Sequence, residues 1–416
     1  MTRTPTPALS ELTGRRAGWI AGGLVMTLAT MPGQTNFIAQ FNAVLRAEFG
    51  LSSGLFGGLY TLATLTSATG LIFAGALADR IAPRKLALAI MAGLAATALL
   101  MSRAQNLPLL VVALALLRFF GQGMLMHVAL TAMARWFDRF RGRALSFAMF
   151  GMTLGDSLLP FTLTVSIAAF GWRTVWIGTA CALALVLMPL VFLLLRRSPE
   201  GGAVPAGGPA PAATGLEWRR ARVLRDPLFW AILPGIMAMP GIGTLFIFHQ
   251  ANLVEAKGWD LTTFTAFFPV LAMTVAAASL AAGVLVDRLG AWRLMPVLLL
   301  PLALACLALA TVTEAWSIPL VFLGFGLTQG VMNPVMGAVW VELYGTAHIG
   351  AIRSLATAAL VAASALGPGL AGWLIDRGLP LERQAVGYAA FCLACATGYA
   401  FLQPRIRRRA MDGSRA

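Results

Sequence analysis

The chain is 416 residues long, 59% hydrophobic and only 11% charged, yet it carries a net charge of +15. A soluble domain has about 25% charged residues, so a water-soluble globular protein is excluded. The basic excess does not point to nucleic acid: no basic patch with interleaved aromatics is left once the apolar segments are set aside.

A membrane-spanning helix needs roughly 20 apolar residues, and twelve such segments are predicted at 17–42, 53–77, 84–103, 107–133, 144–167, 174–195, 227–252, 262–286, 293–312, 316–341, 352–375 and 385–403. Residues 1–16 form an amino-terminal tail. Arg15-Arg16 before an apolar run imitates an export signal, but the Pro32-Gly33 interruption of that run has a twin at Pro240-Gly241 in mid-chain, so the run is the first span. Residues 17–195 supply six spans. The linker 196–226 begins with Arg196-Arg197, is rich in Pro, Gly and Ala from Gly201 to Gly215, and ends in a basic stretch, Trp218 to Arg225. That stretch suits either a short interfacial helix or a solvated tether. Six more spans follow over 227–403. The tail 404–416 is expected to be disordered beyond the basic run Arg405 to Arg409.

With an inside amino terminus, six of the 31 Lys and Arg residues (Arg46, Arg103, Arg173, Lys257, Arg377, Arg383) fall on outer loops and Arg118 falls within a span. The rest lie on cytosolic segments. This positive-inside bias predicts a bacterial inner membrane protein with both termini in the cytosol. The four cysteines lie in apolar helices, and Cys392-x-x-Cys395 has no His or further Cys nearby. They are expected to pack, and no metal or cofactor is expected.

The two halves repeat in one register of 208 residues. Met31-Pro32-Gly33 recurs as Met239-Pro240-Gly241, Gly50 as Gly258, Gly75 as Gly283, Asp79-Arg80 as Asp287-Arg288, Gly142 as Gly350 and Pro160 as Pro368. Two related bundles that rock about a shared site are the design of many secondary transporters. Polar residues support that reading. Spans 3, 6, 9 and 12 are almost free of them, whereas spans 1, 4, 7 and 10 hold Gln34, Asn36, Gln40, Arg118, Gln122, His249, Gln250, Gln329 and Asn333. Polar groups in hydrocarbon are costly, so these helices must face one another or water.

Loop 2–3 runs Gly75-Ala-Leu-Ala-Asp79-Arg80-Ile-Ala-Pro-Arg84-Lys85, and loop 8–9 runs Gly283-Val-Leu-Val-Asp287-Arg288-Leu-Gly290-Ala-Trp-Arg293. Both resemble the signature loop of the major facilitator superfamily, with Ala82 where that family usually has Gly and Trp292 where a basic residue is common. The resemblance implies an all-α membrane protein of twelve transmembrane helices in two pseudo-symmetric six-helix bundles. It also implies alternating access without nucleotide hydrolysis, a carrier and not an enzyme. Asp79 and Asp287 lie at helix carboxyl ends, where a negative charge is disfavoured. They need compensation from Arg80, Arg84 and Arg288, or, as the resemblance implies, from the amino end of a helix in the other half. Gly75, Asp79, Arg80, Arg84, Gly283, Asp287 and Arg288 are thus candidate gating residues, with a topology-setting loop as the alternative.

Arg118 lies about 16 Å along span 4 and Asp156 about 18 Å along span 5, so both are near the middle of a hydrocarbon layer of about 30 Å. A switchable pair is expected: ionised Asp156 neutralises Arg118, and protonated Asp156 releases the guanidinium to a substrate carboxylate. A permanent ion pair is the alternative. The resemblance supports an Arg at this depth followed by a Gln-Gly step, which here is Gln122-Gly123, one residue later than usual. Gln122 shares a helical face with Arg118, as do Gln329 and Asn333 with each other and Asn36 with Gln40. These amides, Gln34, and His249 with Gln250 suit a small polar ligand; for the lone His249 a structural role is the alternative to ligand or proton contact. His127 lies on the face opposite Arg118 and is expected to pack. Pro32-Gly33 and Pro240-Gly241 are expected to bend spans 1 and 7 in matching places, with tight packing between helices as the alternative use of those glycines.

Gln34-Thr35-Asn36, Arg46-Ala-Glu-Phe-Gly50-Leu-Ser and Phe248-His249-Gln250 look similar to the bacterial monocarboxylate and oxalate–formate-like branch. Spans 8 and 11 lack the basic residues that dianion carriers of that group use. A monocarboxylate-like anion or zwitterion moved with protons is therefore the expected substrate of a monomeric carrier. An exporter of amphipathic compounds is the alternative; Asp156 and the leucines before Pro160 depart from the span-5 pattern of drug antiporters. A non-transporting membrane sensor is the remote alternative.

Overall fold

The computed structural model describes residues 15–137, 141–196, 198, 218–345 and 348–415. All regular structure among them is helical. Eleven helical segments among the described residues are long and apolar enough to cross a membrane: Ser53–Ala74, Pro83–Ser102, Leu107–Trp136, Gly142–Phe170, Trp172–Leu194, Pro227–Phe248, Leu261–Leu289, Ala291–Thr311, Ala315–Tyr344, Ile349–Asp376 and Leu381–Met411. These are spans 2 to 12. Span 1 is the twelfth, and it is broken into Arg15–Ala29, the tight turn Met31–Gly33, Thr35–Ile38, Ala39–Phe41 and Asn42–Phe49.

The break has a local and a tertiary cause. Pro32 has no N–H to continue the ladder, and Gln34 leaves the helix with φ −84° and ψ 151°. Gly33 is also pressed against span 4. A Cβ built on it would run into the Leu117 carbonyl oxygen and sit 2.8 Å from Gly121 Cα. There span 4 is wound as a π-helix over Arg118–Leu125, and a π-turn absorbs one extra residue. The Gln-Gly step that comes one residue late in the sequence falls inside this turn.

Span 7 corrects the expectation of matching bends. Its helix runs unbroken through Pro234 and Pro240 and ends only at Phe248. Gly241 meets nothing closer than Ala363, at 3.6 Å from a built Cβ, and Gly326 stands where the register would put a counterpart of Arg118. With nothing crowding the side where a Gly241 Cβ would stand, the proline alone does not break the helix. The repeat is kept elsewhere. Asn42–Phe49 and Gln250–Lys257 are equivalent helices, capped by left-handed Gly50 (φ 62°) and Gly258 (φ 66°).

By contacts the described residues fall into two compact units. The first draws on Met1–Ile38, Leu62–Leu159 and Val165–Ala206, the second on Ala39–Thr61, Pro160–Thr164 and Gly207–Ala416. Thus the segment from the end of span 1 into span 2 packs with the second repeat. In the first unit, small residues join spans 1 and 5: the Thr27 hydroxyl donates to the Ala148 carbonyl, Gly151 lies against Leu24 and Gly155 against Met31. A Gly-x-x-x-Gly face lets helix backbones approach closely inside a membrane.

The carboxyl-terminal tail is not disordered among its described residues, because the last helix continues from Leu381 to Arg415. Its extension is tied down. Arg409 pairs with Asp226, which also accepts from the Tyr344 hydroxyl at 2.8 Å, and Trp218 lies between the guanidinium groups of Arg222 and Arg409. The basic stretch before span 7 does contain a short helix, Arg220–Val223, with Val223 buried. Residues 1–14 of the amino-terminal tail lie outside the described residues, and Arg15 and Arg16 already belong to the first helix.

Candidate functional site

In the first unit the turn of span 1 draws two charges to adjacent residues. Arg118 is only 1% exposed. It donates to the Gly33 carbonyl oxygen at 3.0 Å and to Thr35 Oγ1 at 3.3 Å. Asp156 Oδ1 accepts from Asn36 Nδ2 at 2.7 Å. The Gly151/Gly155 face carries span 5 against span 1, and that places Asp156 beside Asn36. Contacts of both charges thus reach span 1, Arg118 at Gly33 and Thr35 and Asp156 at Asn36. The turn provides this link because its backbone is not consumed by a helix: Gly33's carbonyl is free to accept. Gln34 is buried and donates to Thr30 Oγ1 at 3.2 Å, so it supports the turn.

The register locates a second pair that sequence reading missed. Adding 208 to Asn36 and Asp156 gives Thr244 and Ser364, and the hydroxyls of those residues lie 2.9 Å apart. Both halves thus join span 1 or 7 to span 5 or 11 at the same depth, with a charge in the first half and none in the second. Applying the repeat to Asp156 would have found this pair.

In the second unit the other candidates gather at the far end of the spans, away from the chain termini. His249 is 0% exposed and its Nε2 lies 2.8 Å from the Pro368 carbonyl oxygen. Gln250 is also fully buried, and neither amide atom has a partner among the described residues. Gln40 Oε1 accepts from Thr164 Oγ1 at 3.2 Å. Around them, Asn42 Nδ2 donates to the Phe248 carbonyl at 2.7 Å and Arg46 Nη1 to Asn252 Oδ1 at 2.8 Å. Asn252 Nδ2 donates to Ser53 Oγ at 3.1 Å. Asp376 accepts from the Ser52 hydroxyl at 2.6 Å and the Gly54 N–H at 2.8 Å. Gly57 and Gly372 permit the approach: a Cβ on either would strike the Pro368 or Ser53 carbonyl.

The remaining amides behave differently. Gln122, Gln329 and Asn333 are exposed, and exposed amides on apolar spans require a watery surface. Arg118 is buried, so Gln122 does not share its surroundings. Trp340, on the face of Gln329 and Asn333, is fully buried against Phe229 and Tyr344 because it lies nearer the helix end. His127 is exposed, and its Nε2 lies near Gly75.

The signature loops are asymmetric. Gly290 has φ 83°, a conformation open to glycine, whereas Ala82 at the equivalent position has φ −54°. The family-type glycine is dispensable in the first half for that reason. Glu342, missed from the sequence, accepts from the N–H groups of Ala291 and Trp292 at 2.7 and 3.1 Å. Arg84 donates to the Arg196 carbonyl at 3.2 Å and lies over Phe192, so it caps span 6. Arg80, Asp287 and Arg288 are exposed, and among the described residues no ion pair holds Asp287. The Asp79 side chain lies outside the described structure. Gly75 is close to the Leu71 carbonyl, and Gly283 faces open space.

The chain is 29% identical over 170 residues to a gallate transporter of Pseudomonas putida, an alignment covering 41% of this chain and 37% of that relative. The match thus spans little more than a third of the curated relative's length. Its fold is similar to a bacterial homolog of the human lysosomal transporter Spinster, in an inward-facing and unoccupied conformation, with TM-score 0.70 and 15% identity, covering 96% of this chain and 98% of that one. It is also similar to the nucleoside transporter NupG, with TM-score 0.67 and 12% identity, covering 92% and 99%. The pattern of the Major Facilitator Superfamily matches residues 19–368. Two signature loops, twelve spans in two repeats and this match over most of the chain agree: the protein is a multi-pass membrane protein of the Major Facilitator Superfamily, a family of small-solute transporters and not of enzymes.

Proposed function

We propose that the protein imports a small monocarboxylate, of the aromatic hydroxy-acid kind, together with protons across a bacterial inner membrane. Its termini face the cytosol and its far end faces outward. The observation that carries this reading is Arg118, a fully buried cation halfway along a span, held at the break of span 1. A charge there costs roughly 3 kcal/mol on insertion scales, a cost that an anion-binding role explains. Asp156, tied to the same turn through Asn36, supports proton coupling: protonation removes the charge that Asn36 solvates, loosens Thr35 and Asn36, and changes what Arg118 can bind. The likeness to a gallate transporter supports an aromatic acid.

The test is uptake of labelled gallate and simple hydroxybenzoates into proteoliposomes, with and without an inside-alkaline pH gradient. The expected result is accumulation that needs the gradient, loss of uptake in Arg118→Gln, and gradient-independent exchange in Asp156→Asn. Export of amphipathic dyes with no carboxylate uptake would replace this reading by the exporter.

A further inference from the structure

We propose that His249 is a proton-binding residue that releases the far end of span 1 when it is charged, so that protons arriving from outside open the carrier outward. This deepens the proposed proton-coupled import and rests on its orientation. The ring sits at the break between Pro227–Phe248 and Gln250–Lys257, fully buried. A carbonyl oxygen can only accept, so the contact of Nε2 with Pro368 places a hydrogen on Nε2. In the neutral ring Nδ1 is then the bare nitrogen. It lies beside the Asn252 side chain and has no hydrogen-bond partner of normal geometry among the described residues. A second proton would turn Nδ1 into a buried donor and the ring into a buried cation.

The surroundings decide which way that charge pushes. From the helix Asn42–Phe49, Arg46 faces the ring and opposes a second positive charge, while Asp376 at the end of span 11 favours it. Asp376 is already engaged by Ser52 and Gly54, and Glu255, on the ring's own helix, acts on Arg46. Phe248, which touches the ring, stacks on Phe56 and Tyr60 of span 2, so that side offers no acidic group. Burial, joined by Arg46, thus outweighs the Pro368 carbonyl, the Asn252 amide and one occupied carboxylate. The packed arrangement binds the proton less tightly than an arrangement with the ring in water. By linkage it is favoured at high pH and lost as pH falls. Arg46, Asn252 and Ser53 form one chain of hydrogen bonds, and it holds the end of span 1 and the start of span 2 on span 7 next to the ring. Charging His249 strains that chain.

Spin labels at Ala47→Cys and Arg377→Cys, in a background with Cys181 and Cys395 replaced by Ala, report the separation of these segments by pulsed electron resonance in nanodiscs. No substrate is needed, so a failed carboxylate assay and a failed latch are read separately. A single titrating group changes the open-to-closed ratio at most about tenfold per pH unit. We expect a short distance at pH 8 and a growing longer-distance population toward pH 5. In His249→Gln, whose amide still reaches Pro368, the short distance should persist at every pH. A pH-independent parent, an unchanged response in His249→Gln, or a response abolished only by Asp156→Asn would overturn the proposal.

Discussion

Gly33→Ala and Gly241→Ala make the same chemical change at equivalent places in the two repeats, and the structure assigns them opposite outcomes. At Gly33 the added methyl would meet the Leu117 carbonyl oxygen, the Gln122 nitrogen at 2.7 Å and Gly121 Cα at 2.8 Å. Carbon atoms pack at about 3.5 Å or more, so the span-4 backbone must retreat by about 0.7 Å. Backbone cannot rotate away as a side chain can, and overpacking of this kind costs about 1–3 kcal/mol. The same retreat stretches the 3.0 Å bond from Arg118 to the Gly33 carbonyl to a length at which it ceases to hold. At Gly241 the new methyl finds only Ala363 atoms at 3.6 Å and beyond, ordinary contact distances. Thermal unfolding in detergent and gallate uptake in proteoliposomes are the assays. Gly33→Ala should lower the melting temperature and weaken uptake chiefly through KM, and Gly241→Ala should resemble the parent. Equal effects of the two substitutions would refute the account of the span-1 break.

Other perturbations test the rest of the framework. Gly290→Ala forces a side chain onto φ 83° and ψ 146°, at about 1–3 kcal/mol, while Ala82→Gly at φ −54° should cost within about 1 kcal/mol; comparative thermal unfolding reads the difference. Asp226→Ala leaves the Arg409 guanidinium, 25% exposed, without its carboxylate and removes the cap on Leu228. A loss of about 3–5 kcal/mol is expected, against about 1 kcal/mol for Tyr344→Phe. Both are measurable by denaturant titration, and equal losses would show that the Asp226–Arg409 pair contributes nothing.

Much of the molecule was legible in the chain itself. Bilayer thickness demands a long apolar run for each span, so twelve spans, their order and the 208-residue repeat follow from local composition. Burial of charge in hydrocarbon is so costly that Arg118 and Asp156 stand out from one sequence. The family-type loops and the late Gln-Gly step were visible too, though the π-turn that accommodates that step was not. Partners were harder. That Arg118 and Asp156 both reach for span 1, that Thr244 and Ser364 repeat the second contact, and that Glu342 holds loop 8–9 depend on which helices meet. A single helix's periodicity carries no such information.

Span 1 and span 7 show where the division lies. Met-Pro-Gly occurs in both, so local chemistry predicted two bends. Only the first helix broke, because only Gly33 is pressed against a glycine of a neighbouring π-turn and has an arginine to take its carbonyl. Likewise, composition marked His249 and Gln250 as unusual, but their burial beneath the Arg46–Asn252–Ser53 chain arises from segments some 200 residues away packing into the same unit. Propensity and hydropathy act over a few residues and settle where helices are. Close contact between backbones is decided by every helix at once, and that is what selected the broken span and the buried imidazole.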